Sequence, residues 1–268
     1  MKMPVRFYLA VLSLALLLIA SATTATSAQA VTEILKRMQV HNNALLTLHS
    51  NITMSRRNSQ LDENDVLQGN IIYSRALKKQ KQVKIDWTKP YEETLHFTDG
   101  RYVIYRPRLR QMIAGDIEKT DFGTETCNLL PFLRMSKAEI KANYAVAYLG
   151  AEIIKGGIKT WRLSLQPKQP AGFKSIDLWI DKDGMPRQAK ALERNGDSTT
   201  VLFSELTKNG RIDGKLFQPA FPKNVNVLKA SGTPTTCKTV SVSAAESRKA
   251  KRKSRPVRKV KTRKKRRF

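Results

Sequence analysis

The chain has 268 residues, with 49 Lys and Arg against 22 Asp and Glu for a net charge of +27, and 41% of it is hydrophobic. It is too apolar for a polycation that is disordered throughout, long enough for one substantial core, and its two cysteines rule out a disulfide-framed miniprotein. The charge is uneven: residues 231–268 hold 15 Lys and Arg against Glu246 alone, whereas residues 31–230 hold 32 basic and 21 acidic residues. Even the body is therefore basic, which selects for acidic partners or anionic membrane surfaces.

In chain order, Lys2 and Arg6, an apolar run over residues 9–20 and Ala28-Gln29-Ala30 form an export leader, residues 1–30. The run is too short for a comfortable membrane span, and no cysteine follows the cut, so a soluble exported protein is expected. Residues 32–46 place Ile34, Leu35, Met38, Leu45 and Leu46 at spacings of one helix face. The period then changes: Leu48, Ser50, Ile52 and Met54 alternate as in a strand. Residues 56–66 are polar, with Asp62-Glu63-Asn64-Asp65 expected as a turn before a strand over 69–75. Val83, Ile85 and Trp87 alternate next, then Leu95 and Phe97. Asp99-Gly100 is a hairpin signal, followed by strands over 101–106 and 111–114.

The middle differs. Residues 127–135 are apolar and helix-compatible, interrupted by Pro131, and Ser136 with Glu139 forms a capping box for a short helix over 136–143. Strands resume over 144–149, 160–166 and 175–181. Asp183-Gly184 turns the chain into 187–194, and Gly196-Asp197 leads to 198–206. About ten antiparallel strands, one N-terminal helix and a helical insertion give a mainly β (α+β) chain with a single sheet large enough to curl. One domain over 31–230 and a disordered basic tail over 231–268 are expected. Cys127 and Cys237 would pair in an oxidising compartment, closing a loop worth about 4–5 kcal/mol; two independent thiols are the alternative.

Little points to an enzyme. His41, His49 and His96 lack metal-pair spacing, there is no nucleophile elbow or phosphate loop, and Asp181 and Asp183 flank a turn. No cofactor is expected. The tail alone would suggest nucleic acid, and the leader argues against it.

Several short motifs then occur in a recognisable order: Gly69-Asn-Ile-Ile-Tyr-Ser-Arg75, Ile85-Asp-Trp-Thr-Lys-Pro90, Asp99-Gly-Arg-Tyr-Val-Ile-Tyr-Arg-Pro107, Leu165-Gln-Pro-Lys168, Leu178-Trp-Ile-Asp-Lys-Asp-Gly184 with Gln188 and Glu193, and Phe217…Pro222-Lys-Asn-Val-Asn-Val227. In this order the chain resembles the LolA family of periplasmic lipoprotein carriers. The resemblance implies an incomplete, strongly curved β-barrel with N-terminal and inserted helices as a lid over an apolar cavity. It also implies a soluble periplasmic chaperone that carries lipoprotein acyl chains from an inner-membrane ABC-type release complex to an outer-membrane acceptor. A lipid or glycolipid sensor, or a free-lipid carrier, is the alternative on the same fold.

Arg75 stands where the family has a basic residue that latches the lid, although Ala76 replaces the usual proline. Alternation assigns the cavity wall to Ile71, Tyr73, Val83, Ile85, Trp87, Leu95, Phe97, Val103, Tyr105, Trp161, Leu163, Leu165, Ile176, Leu178 and Ile180. The lid would offer Leu129, Leu130, Phe132 and Leu133. The tail departs from the family and would suit an anionic membrane surface.

Overall fold

The computed structural model describes residues 27–75, 82–98, 101–116, 135–217, 222 and 224–229. The leader up to residue 26, Cys127, Cys237, the four lid residues and the basic tail lie outside the described residues. Every described residue belongs to one compact unit, Met1–Lys238.

Twelve strands form one curved open sheet: β1 (Thr47–Asn58), β2 (Glu63–Ser74), β3 (Gln82–Lys89), β4 (Glu93–Thr98), β5 (Arg101–Arg106), β6 (Gln111–Asp116), β7 (Tyr144–Ile154), β8 (Ile158–Pro167), β9 (Phe173–Ile180), β10 (Pro186–Glu193), β11 (Ser198–Lys208) and β12 (Asn226–Lys229). Their order is β12-β6-β5-β4-β3-β2-β1-β11-β10-β9-β8-β7. The sheet thus joins two antiparallel meanders where β1 meets β11, 154 residues apart at Asn51 and Glu205.

Among the described residues two helices lie beside it. Helix α1, residues 27–44, buries Val31, Ile34, Leu35, Met38 and His41, the i, i+3, i+4, i+7 spacing of a core-facing stripe. It ends before Leu45 and Leu46, which the sequence reading had included; Leu45 turns instead into a cluster with Leu48, Tyr73 and Met185. Helix α2, Lys137–Asn143, begins with the expected capping box: the Glu139 N–H donates to the Ser136 hydroxyl and the Ser136 N–H donates to the Glu139 carboxylate. It inserts Ile140 into the core.

Two strand expectations change, and one hairpin stands as expected. The turn falls at residues 59–62 rather than at Asp62-Glu63-Asn64-Asp65, because β1 and β2 continue as a ribbon through Arg57↔Asn64 and Asn58↔Glu63; cross-strand pairing sustains these polar positions. The two-residue connection at Asp99-Gly100 aligns Thr98 with Arg101, hence Phe97 with Tyr102 and Leu95 with Ile104. A last strand, β12, is added and pairs parallel to β6, so the sheet is not purely antiparallel. After β11 the chain crosses the convex face, where Phe217 of the 3-10 turn Gly214–Phe217 lies 6.3 Å from the His96 ring.

The Asp183-Gly184 turn is the tightest junction between helix and sheet. Asp181 accepts the N–H groups of Asp183 and Met185. Gly184 has φ +85, and a Cβ there would lie 2.3 Å from the Arg37 carbonyl oxygen of α1. Gly184→Ala should lower unfolding free energy by at least about 1–3 kcal/mol, because both the conformation and the space are denied. Gly150→Ala, at φ +121 but in open space, should cost less. Denaturant unfolding of the two variants tests the ordering.

Candidate functional site

The concave side of the sheet is apolar from β6 round to β8. Ile71, Ile85, Trp87, Leu95, Leu163, Leu165, Ile176, Leu178 and Ile180 are buried in one continuous cluster, with Val83, Phe97 and Trp161 packed against it. Tyr73 belongs to the adjoining cluster around Leu48. Two assignments need correction: Val103 and Tyr105 sit on the convex side, since their register neighbours are His96 and Thr94. The β5 residues on the concave side are Tyr102 and Ile104, both buried. A two-residue hairpin at Asp99-Gly100 already dictates that pairing, so the signal was in the sequence. Ile52 and Met54 of β1, Leu67 of β2, and Val201 and Phe203 of β11 complete the surface; the alternation of Ile52 and Met54 marks a strand but not its place beside β11, which is a long-range pairing.

Helix α1 closes this surface, and its middle and its C-terminal end are held differently. Toward its middle, the Arg37 guanidinium lies 5.1 Å over the Trp161 ring, donates to the Lys182 carbonyl at 3.3 Å and pairs with Glu33 at 3.1 Å. At its C-terminal end Arg75, just past β2, donates to the carbonyls of Asn42 and Asn43. These carbonyls belong to the last turn, which has no intrahelical donors for them and carries the negative end of the helix dipole. An arginine suits this place because its forked donors reach two carbonyls and its charge complements the dipole.

Asn42 and Gln39 were not anticipated. The Asn42 amide donates to the Met135 carbonyl at 3.2 Å, and the Gln39 side chain accepts the Lys137 N–H at 2.9 Å. The last turns of α1 therefore touch both the end of β2 and the chain entering α2. Such polar contacts carry no periodic signature in a sequence.

His41 lies between these contacts, buried, and its Nε2 has no hydrogen-bond partner among the described residues. Burial, reinforced by Lys208, holds its pKa below the ordinary imidazole value, against the opposing pull of Asp181 and Asp183. On the convex side a separate network binds β7–β9: Arg162 pairs with Glu152 at 3.0 Å and Asp177 at 2.5 Å, and Trp179 donates to Glu152 at 2.6 Å. The Trp179 and Arg162 bonds hold the Glu152 carboxyl below its ordinary pKa. These groups face away from the concave surface and clamp the sheet.

A depressed histidine pKa means the unfolded chain takes up the proton first as pH falls. The His41 contribution to stability is therefore full above the ordinary imidazole value of about 6.5 and is lost as pH falls from there through the folded value. His96, also lowered by burial first and Lys84 second, adds in the same direction. The denaturation midpoint should fall between about pH 7.5 and about pH 5.5, and His41→Phe should remove part of that fall. An equal fall in the variant would show that His41 has no share in it.

The chain is similar in sequence and in structure to known proteins. The family model described as outer membrane lipoprotein carrier protein LolA matches residues 74–220. An outer-membrane lipoprotein carrier protein of Helicobacter hepaticus is 22% identical over 153 residues, covering 57% of this chain and 69% of that protein. Among solved structures, MucB superposes with a TM-score of 0.52 at 14% identity, over 72% of this chain and 63% of MucB. The chain thus spans less than two thirds of MucB. Mycobacterium tuberculosis lipoprotein LppX gives a TM-score of 0.46 at 12% identity, over 69% of this chain and 98% of LppX.

Proposed function

For this chain, which belongs to the LolA family, we propose a periplasmic carrier that binds the acyl chains of lipoproteins between α1 and the concave face of the sheet. The observation that carries the reading is the pairing of one continuous apolar surface with a cover fastened by polar contacts. Each buried methylene is worth about 0.8 kcal/mol, so a long acyl chain contributes on the order of 10 kcal/mol. Release on a useful timescale requires an opposing term. Closure of α1 through Arg75, Asn42 and Gln39 supplies one, since cargo must displace these contacts to enter and regains them on leaving.

In this reading Arg75 is the latch, the sheet residues from Ile71 to Ile180 named above form the wall, and Leu129, Leu130, Phe132 and Leu133 complete the lid. An inner-membrane ABC-type complex loads the carrier and an outer-membrane acceptor unloads it. No catalytic step is involved.

Native mass spectrometry of the protein purified from the periplasm is the direct test. A one-to-one complex with an acylated lipoprotein supports the carrier; free lipid or glycolipid in its place would make the same cavity a lipid carrier or sensor. Arg75→Leu removes two charge-assisted hydrogen bonds from the closed state, worth about 1.5–3 kcal/mol each. The variant should therefore hold cargo at least tenfold longer and pass less of it to acceptor membranes. Unchanged release would take Arg75 out of the mechanism.

A further inference from the structure

In the first meander the strands alternate in direction, so the β1–β2, β3–β4 and β5–β6 turns all lie on one rim of the sheet. Each turn exposes one large apolar side chain: Leu61, Tyr91 and Leu109. Their surroundings differ in charge. Leu61 is followed by Asp62, Glu63 and Asp65, and Tyr91 by Glu92 and Glu93. The β5–β6 turn reads Arg106-Pro107-Arg108-Leu109-Arg110, three cations and no acid.

That turn is also rigid. Pro107–Leu109 forms a single 3-10 turn, closed by the Arg110 N–H on the Pro107 carbonyl at 3.0 Å, with Arg110 itself at φ 46. The Asn226 N–H donates to the Arg110 carbonyl at 2.8 Å, pinning the turn to β12. Arg106 is committed to Glu93 at 2.6 Å. Arg108 and Arg110 make no ion pair among the described residues, and Leu109 between them is 65% exposed.

We propose that the Arg106–Arg110 turn is a membrane-contacting tip, in which Leu109 enters the headgroup–acyl boundary of an anionic bilayer while Arg108 and Arg110 engage lipid phosphates. A lone apolar side chain with a cation on each side matches that boundary, apolar below and phosphate-rich above. A folded protein partner fits less well. It would need about 800 Å² on this side, and the acids of the two neighbouring turns confine the basic apolar patch to one turn. Contact through one leucine and two arginines is weak, reversible and salt-sensitive, which suits a protein that touches a membrane and leaves it. The inference does not depend on what the concave surface carries.

The basic tail will itself attract anionic vesicles, so the readout must be local to the turn. In the full mature chain, Leu109→Trp places an indole at the tip, and the unsubstituted chain supplies the background of its three tryptophans. With phosphatidylglycerol-containing vesicles carrying lipids brominated high on the acyl chain, the added emission should shift to the blue and be quenched, and salt should reverse both. Vesicles of phosphatidylcholine alone should do neither. Arg108→Gln and Arg110→Gln, introduced into Leu109→Trp, should each reduce the quenched fraction about fivefold at subsaturating lipid. A chain that floats with the vesicles while the added tryptophan stays unquenched binds by its tail, and overturns the proposal. So does a chain that binds no vesicles at all, which would leave the turn to an acidic protein.

Discussion

Covering the concave side of the sheet is the constraint on which the rest of the structure depends. A sheet with Ile, Leu and Trp on one face from β6 to β8 is stable only if that face is removed from water, at about 1.5–3 kcal/mol for each large side chain. Helix α1 brings Val31, Ile34, Leu35 and Met38 to the task, and α2 brings Ile140. A more apolar cover would pack better and could not be lifted. What fastens α1 at its C-terminal end is instead polar: Arg75 on two carbonyls, Asn42 on Met135, Gln39 on Lys137. Because water can replace them, the neutral bonds are worth about 1 kcal/mol net each and the two from the charged Arg75 about 1.5–3 kcal/mol each. The closed form is thus specified in geometry and modest in energy.

The contacts of α1 also differ along its length. Around Arg37 the helix is locked to the second meander by the Trp161 ring, the Lys182 carbonyl and the backbone approach at Gly184. A van der Waals contact that forbids even a Cβ cannot slide without separating. The carbonyl contacts at Asn42 and Asn43 can be exchanged one by one. If α1 is the cover of the proposed carrier, the end that meets β2 and the chain leading into α2 is the one with exchangeable contacts. The convex clamp of Glu152, Arg162, Asp177 and Trp179 ties β7–β9 together independently of those contacts.

How far the fold could be read in advance follows from where its determinants lie. Strands β5, β9 and β10, the capping box at Ser136 and the hairpin at Asp99-Gly100 are set by residues near in sequence, and alternation or turn chemistry reveals them. The ribbon extending β1 and β2 is polar on both faces, so no hydrophobic period marked it. Strand β12 is four exposed residues whose parallel pairing with β6 is a long-range event. In the site, thirteen of the fifteen wall positions lie on the concave clusters. Val103 and Tyr105 were misplaced because alternation identifies two faces without saying which is inner; only the hairpin register does. The polar fastening of α1 was legible at Arg75 through its motif and not at Asn42 or Gln39, where the partners are backbone groups about 95 residues away.

The topology also separates two demands that would conflict if they shared one place. Arg75 follows the end of β2, whereas the Arg106–Arg110 turn lies at the rim where β2 begins, because neighbouring strands of the meander run in opposite directions. A six-residue strand alone spans on the order of 20 Å, so the latch and the basic tip sit at opposite ends of the sheet. If the tip rests on lipid, the C-terminal end of α1 points away from the bilayer, where phosphate groups cannot compete with the Asn42 and Asn43 carbonyls for the Arg75 guanidinium. An arginine latch beside anionic headgroups would be opened by any membrane it touched. In the proposed carrier, a latch held a strand's length away would be opened by cargo or by a protein that reaches that end, and membrane contact by itself would leave the cover closed.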